Sequence, residues 1–158
     1  MPADAFLRID GVAGESADAK HKGEIEVVAW SWGEAQTPRP PGGGGGAGKV
    51  QMQDLRFTAR TSKASPRLLL ACAAGEHLKS AVLTVRKAGK TPHEYFKLTL
   101  TDVRVSSFHL GSLAGDQPMD EAALAYSRIE VEYRPQKADG SAGPPVKAGW
   151  DLKTNKKL

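Results

Sequence analysis

The chain has a single cysteine, Cys72, among 158 residues, so no internal disulfide can form, a usage that fits a reducing compartment. No run approaches the roughly 18 apolar residues needed to cross a bilayer, so direct membrane insertion is not expected. The opening MPADAFLRID lacks a basic region followed by an apolar one, and any export is expected to use a route other than a signal peptide. Histidine is scarce too. His21, His77, His93 and His109 form no HExxH pattern, and no CxxC exists, so neither a metal nor a cofactor is expected. The sequence GGAGK at 45–49 is followed by Val50 rather than Ser or Thr, which rules out a phosphate-cradling loop of the GxxxxGK[ST] kind. There is no GxSxG elbow, and Cys72 lies in an apolar segment where burial keeps a thiol protonated and unreactive. Paired carboxylates, Glu24 with Glu26 and Glu130 with Glu132, read as solvated strand faces. No catalytic, cofactor-binding or metal-ligating residue is nominated, and the chain is not expected to be an enzyme.

What is present is alternation. Period-two patterning marks strands over 6–9, 24–32, 50–60, 81–87, 94–101, 103–110 and 124–133, with a short closing strand over 146–153. Residues 33–48 hold Pro38, Pro40, Pro41 and a run of glycine from 42 to 46, too costly in backbone entropy for a regular element. They read as a flexible excursion between two strands, an extended loop at about 33–49 in a single domain spanning 1–158. One helix is expected over 65–74, with Ser65 as its cap, Pro66 at its first position and Gly75 at its left-handed end. Its RLLLACAA body has no polar face beyond Arg67, which predicts cover on more than one side. Many adjacent strands and one helix predict an all-β fold with one flanking helix, as a small antiparallel barrel or a two-sheet sandwich.

The most informative stretch is EIEVVAWSW at 24–32. Ile25, Val27 and Ala29 share one face, while the other face changes from Glu24 and Glu26 to Val28, Trp30 and Trp32. Half-buried strands keep a clean period of two, so two apolar faces predict a second covering surface, from this fold or from another copy. In a regular strand both tryptophans point the same way, and a fully buried Trp30 or Trp32 replaced by Ala would cost about 3–5 kcal/mol. Charge is uneven as well. Of a net +4, the segment 136–158 carries most, with Lys137, Lys147, Lys153, Lys156 and Lys157 against Asp139 and Asp151. It lacks aromatic interleaving or a recognition motif, so no nucleic acid is expected. Salt-dependent DNA or RNA binding by its 147–157 end would support that alternative.

Several blocks together resemble a known family. FLRIDGVAGES, HKGEIEVVAWSWG, SKASPRLLLACAAGEHLKSAVLTVRKAG, YFKLTLTDVRVSSF, PMDEAALAYSRIEVEY and GWDLKTNKK follow, in order and over nearly the whole chain, the Hcp family, the tube protein of bacterial type VI secretion. The resemblance implies a small antiparallel β-barrel formed by two sheets with one flanking helix, assembled as hexameric rings that stack into a hollow tube. Implied partners are further copies of the chain, the sheath, spike and baseplate of the secretion machine, and small effector proteins in the lumen. The chain would be cytoplasmic before firing and then secreted by the machine itself. A dedicated effector chaperone without bulk tube formation is the alternative. On this resemblance Val28, Trp30, Trp32, Leu68, Leu69 and Leu70 are candidates for the subunit seam. Gly42, Gly44, Lys49, Lys153, Lys156 and Lys157 are candidates for contact between stacked rings.

Overall fold

The alternating segments pair almost entirely with antiparallel neighbours. The computed structural model describes residues 3–36, 49–89 and 92–158. In chain order these form β1 (Ala3–Ile9), β2 (Ile25–Ser31), β3 (Glu34–Gln36), β4 (Val50–Met52), β5 (Leu55–Arg60), α1 (Ala64–Ala74), β6 (Leu78–Lys87), β7 (His93–Gly111), β8 (Met119–Ala125), β9 (Arg128–Tyr133), β10 (Val146–Asp151) and β11 (Lys156–Lys157). A nine-stranded sheet runs β11-β10-β9-β7-β6-β1-β2-β5-β8, and β8 pairs back onto β7. That pairing closes β7, β6, β1, β2, β5 and β8 into a six-strand barrel, while β9, β10 and β11 extend outward from β7. Closure removes free edges from the barrel strands. The small antiparallel barrel with one flanking helix is therefore present, and β3 and β4 form a separate two-stranded sheet beside it.

One long strand makes this topology possible. The first part of β7 pairs with β9 up to Thr101, and its second part pairs with β8 from Arg104 onward. Asp102 stands at the changeover with φ 57°, a left-handed conformation that Asp tolerates better than most residues. Inside the barrel Leu7, Leu83 and Leu98 lie side by side in register, and Leu55 faces Leu124. All five are buried, which makes this line of leucines the centre of the core.

The structure revises four sequence expectations. Residues 33–48 are not wholly irregular, because Glu34–Gln36 pairs with Val50–Met52. The expected strand over 50–60 is therefore two strands belonging to different sheets. The expected strand over 124–133 is broken at Tyr126 and Ser127, where β8 ends and β9 begins. Ser65 does not cap the helix. Lys63 holds that position without a side-chain hydrogen bond, and Ser65 lies inside the first turn. There its hydroxyl accepts from the Ser62 amide at 3.0 Å and donates to the buried carboxylate of Asp120, which also accepts from Thr61 Oγ1 at 2.8 Å. The hydroxyl is thus drawn to a buried charge on β8 instead of the helix start. Gly75 does occupy the left-handed end, with φ 63°.

The fourth revision explains the change of alternation in EIEVVAWSW. Against β5, the register steps from Val27↔Ala59 to Ala29↔Thr58, two residues on β2 for one on β5. Val28 is the extra residue of a β-bulge and is 57% exposed. The bulge reverses parity, so Trp30 sits opposite the core residue Phe57 and stacks on Phe96 of β7 at 5.4 Å. Trp32 lies past the end of β2, where its indole N–H donates to the Tyr126 hydroxyl at 2.6 Å. The two tryptophans therefore do not share one face of a regular strand. Trp30 remains 37% exposed, and its replacement by Ala is expected to cost less than full burial would imply.

Candidate assembly surfaces

The apolar helix buries only one side. Ala64, Ser65, Leu68 and Ala71 face the barrel, while Leu69 and Leu70 are 51% and 54% exposed. Leu68 is packed into this chain's own core, which removes it from any contact between subunits. The expected second cover for α1 is thus absent within the described residues of the single chain. Val28 on the bulge, Leu69 and Leu70 are large apolar groups left at the surface of a chain whose core is already filled.

A cleft of about 580 Å³ opens at the corner where β1 meets β2. The segment between those strands folds over its rim, and Phe6 forms part of its floor. His21 stacks on Phe6 at 4.5 Å, and the Arg86 guanidinium lies 4.8 Å over the same ring. His21 also bridges two carboxylates, with Nδ1 2.9 Å from Glu24 and Nε2 2.7 Å from Glu94, joining this segment to β7. Arg86 is buried and forms a two-pronged pair with Asp18, with one contact at 3.0 Å, and it lies 3.6 Å from Asp4. Its hydrogen bonds hold the Asp18 carboxyl down from 3.8 to about 2. None of this long-range pairing was readable from sequence, because Asp18 and Arg86 sit on different strands or loops with no local spacing signal.

The sign of the Asp18 shift sets an acid response. Folding depresses this carboxyl, so its contribution is present above about pH 4 and is lost as pH falls through about 2. Asp18→Asn is expected to shrink the fall in melting temperature between about pH 5 and about pH 2, as followed by circular dichroism. An unchanged pH profile would show that the Arg86 pair contributes nothing to stability.

The C-terminal segment is held by a second set of carboxylates. Asp151 accepts from the Lys153 amide at 2.9 Å, the Thr154 amide at 3.2 Å and Arg128 Nε at 3.0 Å, and the backbone contacts lower its pKa. Asp102 accepts from Ser127 and contacts His77 and Lys153, which together push its pKa strongly down. Of the stacking candidates, Lys153 is therefore ion-paired at 3.3 Å, while Lys156 and Lys157 are exposed on β11. Lys49 is exposed just before β4. Gly42 and Gly44 lie outside the described residues. Beside this segment, a groove of about 640 Å³ separates the β3–β4 hairpin from β9 and β10, lined by Trp32, Met52, Val131 and Trp150. Among the described residues no group of His, Cys, Asp or Glu has the arrangement of a metal site.

A family model described as "Type VI secretion system effector, Hcp" matches residues 6–133 of the chain. The chain belongs to the Hcp family. It is 51% identical to Protein hcp1 of Pseudomonas aeruginosa over 98% of each sequence. Its fold matches the crystal structure of Hcp1 from Salmonella typhimurium with a TM-score of 0.82 and 35% identity, covering 100% of both chains. A solved type six secretion system protein matches more closely in shape, with a TM-score of 0.92 and 33% identity over 99% of this chain and 100% of the other. The Hcp resemblance and the barrel expected from it thus stand on sequence and on structure together. The barrel, its single helix and its extension beyond β7 are features of this Hcp chain that any function must use.

Proposed function

We propose that this Hcp chain is a structural component of type VI secretion, assembling as hexameric rings that stack into a tube. One observation carries the reading: Val28, Leu69 and Leu70 remain exposed on a barrel whose core is complete without them. A ring buries such groups by repeating one contact around a closed circle, and modest pairwise contacts accumulate. Val28, Trp30, Leu69 and Leu70 remain the seam candidates, with Trp32 contributing through its partly exposed edge. Lys49, Lys156 and Lys157, with the 42–46 glycines, remain candidates for contact between rings.

The action is mechanical transport. The tube would lie in the sheath, meet the spike at one end and the baseplate at its start, and carry small effector proteins in its lumen. No substrate is transformed, and the chain would leave the cytoplasm through the machine that contains it. Deleting this chain from a cell with an active type VI system should abolish tube assembly and export of effectors, and re-expression should restore both. Continued effector export without it would overturn the tube role. Leu69→Glu with Leu70→Glu should leave folding stability within about 0.5 kcal/mol, since both side chains are exposed, yet lower the ring fraction seen by electron microscopy. An undiminished ring fraction would place the helix away from the seam.

A further inference from the structure

We infer that neighbouring copies dock head to tail, the acidic cleft at the β1–β2 corner of one protomer receiving the lysine-bearing β10–β11 edge of the next. This rests on the ring reading and adds to it the two faces that meet and the charge that orients them. The cleft carries Asp4, Glu15, Asp18 and Glu26 against Arg60 and Arg86, four carboxylates facing two guanidiniums. Arg86 is already engaged by Asp18 and Asp4, whereas exposed Glu26 has no ion-pair or hydrogen-bond partner among the described residues. The opposite face has the complementary surplus. Lys156 and Lys157 are exposed and unpaired on β11, and Lys147 on β10 is only 3.9 Å from its nearest carboxylate, Glu132.

Backbone and apolar groups agree with the charge. β11 covers β10 only at Trp150 and Asp151, so the outer edge of β10 from Val146 to Ala148 has no strand beside it in the described residues. An uncovered edge with main-chain groups to spare is a surface that takes a partner. Val146 on that edge is 66% exposed, and Val28 at the cleft is 57% exposed, giving each face one apolar anchor.

Topology puts the two faces on opposite sides. Counting around the barrel in either direction, β2 is the strand farthest from β7, and β9–β10–β11 grow outward from β7. Two different complementary faces on opposite sides form a heterologous joint, the kind that closes into a ring when the rotation allows. A two-fold joint through the β10–β11 edge would instead oppose lysine to lysine, and like charges across an interface are unfavourable.

The test is charge reversal in the full chain, read as oligomer mass by native mass spectrometry and sedimentation at fixed low salt. Glu26→Lys alone, and Lys156→Glu with Lys157→Glu, are each expected to raise the concentration for half-assembly by at least about tenfold. Combining all three reversals in one chain is expected to restore assembly to within about threefold of the unaltered protein. Circular dichroism melting checks that each variant is folded. Should a reversal fail to fold, the neutral Glu26→Gln and Lys156→Gln/Lys157→Gln variants are expected to weaken assembly in the same direction, with a reduced salt dependence. Rings indifferent to the reversals and to the neutral variants, or reversals that weaken assembly without rescue in the combined chain, would overturn this docking and leave the ring reading standing. An unaltered protein that stays monomeric would overturn the ring reading itself.

Discussion

Replacing Leu83 with Ala is expected to cost about 2–5 kcal/mol of folding stability. Leu83 is fully buried and sits in register between Leu7 on β1 and Leu98 on β7, two further buried leucines of the barrel interior. Truncation removes apolar contact and leaves a cavity that a closed barrel cannot readily collapse, because every flanking strand is hydrogen-bonded on both sides. For a domain of this size each kcal/mol lowers the melting temperature by about 2–4 °C. Denaturant and thermal unfolding measure the loss directly. A change below about 0.5 kcal/mol would contradict the placement of the core between these strands.

The second large effect is expected at Gly14. A methyl group there would meet the Glu24 carbonyl oxygen, and would lie only 2.6 Å from the Glu24 carbonyl carbon and 2.7 Å from the Ile25 amide nitrogen. These are backbone atoms at the start of β2 and cannot swing aside as a flexible side chain would. The same approach carries hydrogen bonds, Gly14 N–H to Gly23 O at 2.8 Å and Ser16 N–H to Glu24 O at 3.0 Å. Gly14→Ala is therefore expected to cost about 1–3 kcal/mol by overpacking. It should also speed amide exchange through 14–24, the segment that brings Asp18 to Arg86 and His21 to Glu94. Unchanged exchange in that segment would mean that the close approach does not hold it down.

The architecture was largely legible because its strands alternate. Residues such as Leu7, Leu83 and Leu98 recur at period two and need only one buried face to declare it. The helix end was readable for a local reason, since Gly75 supplies the left-handed turn within one residue of the last helical position. The misreadings came where distant groups competed with local ones. Ser65 resembled a cap, but a buried Asp120 on β8 claims its hydroxyl. The β8–β9 break lies between two alternating runs, and only the pairing of β7 with both strands shows where one stops. In EIEVVAWSW the change of face was visible in sequence, while its cause was not. One extra residue at Val28 resets parity and moves Trp30 to the core side, so the surplus apolar surface is carried by Val28 itself and by Leu69 and Leu70. The acidic cleft left no sequence signal, because its carboxylates are gathered from β1, β2 and the segment between them.

The most direct measurement is the mass of the purified chain in solution, taken by native mass spectrometry across a range of concentrations and accompanied by electron micrographs. The ring account predicts a particle of six 16.8-kDa chains, with a hollow centre in projection and stacks of such particles at high concentration. A folded chain that remains a single 16.8-kDa species at every concentration and salt would contradict it.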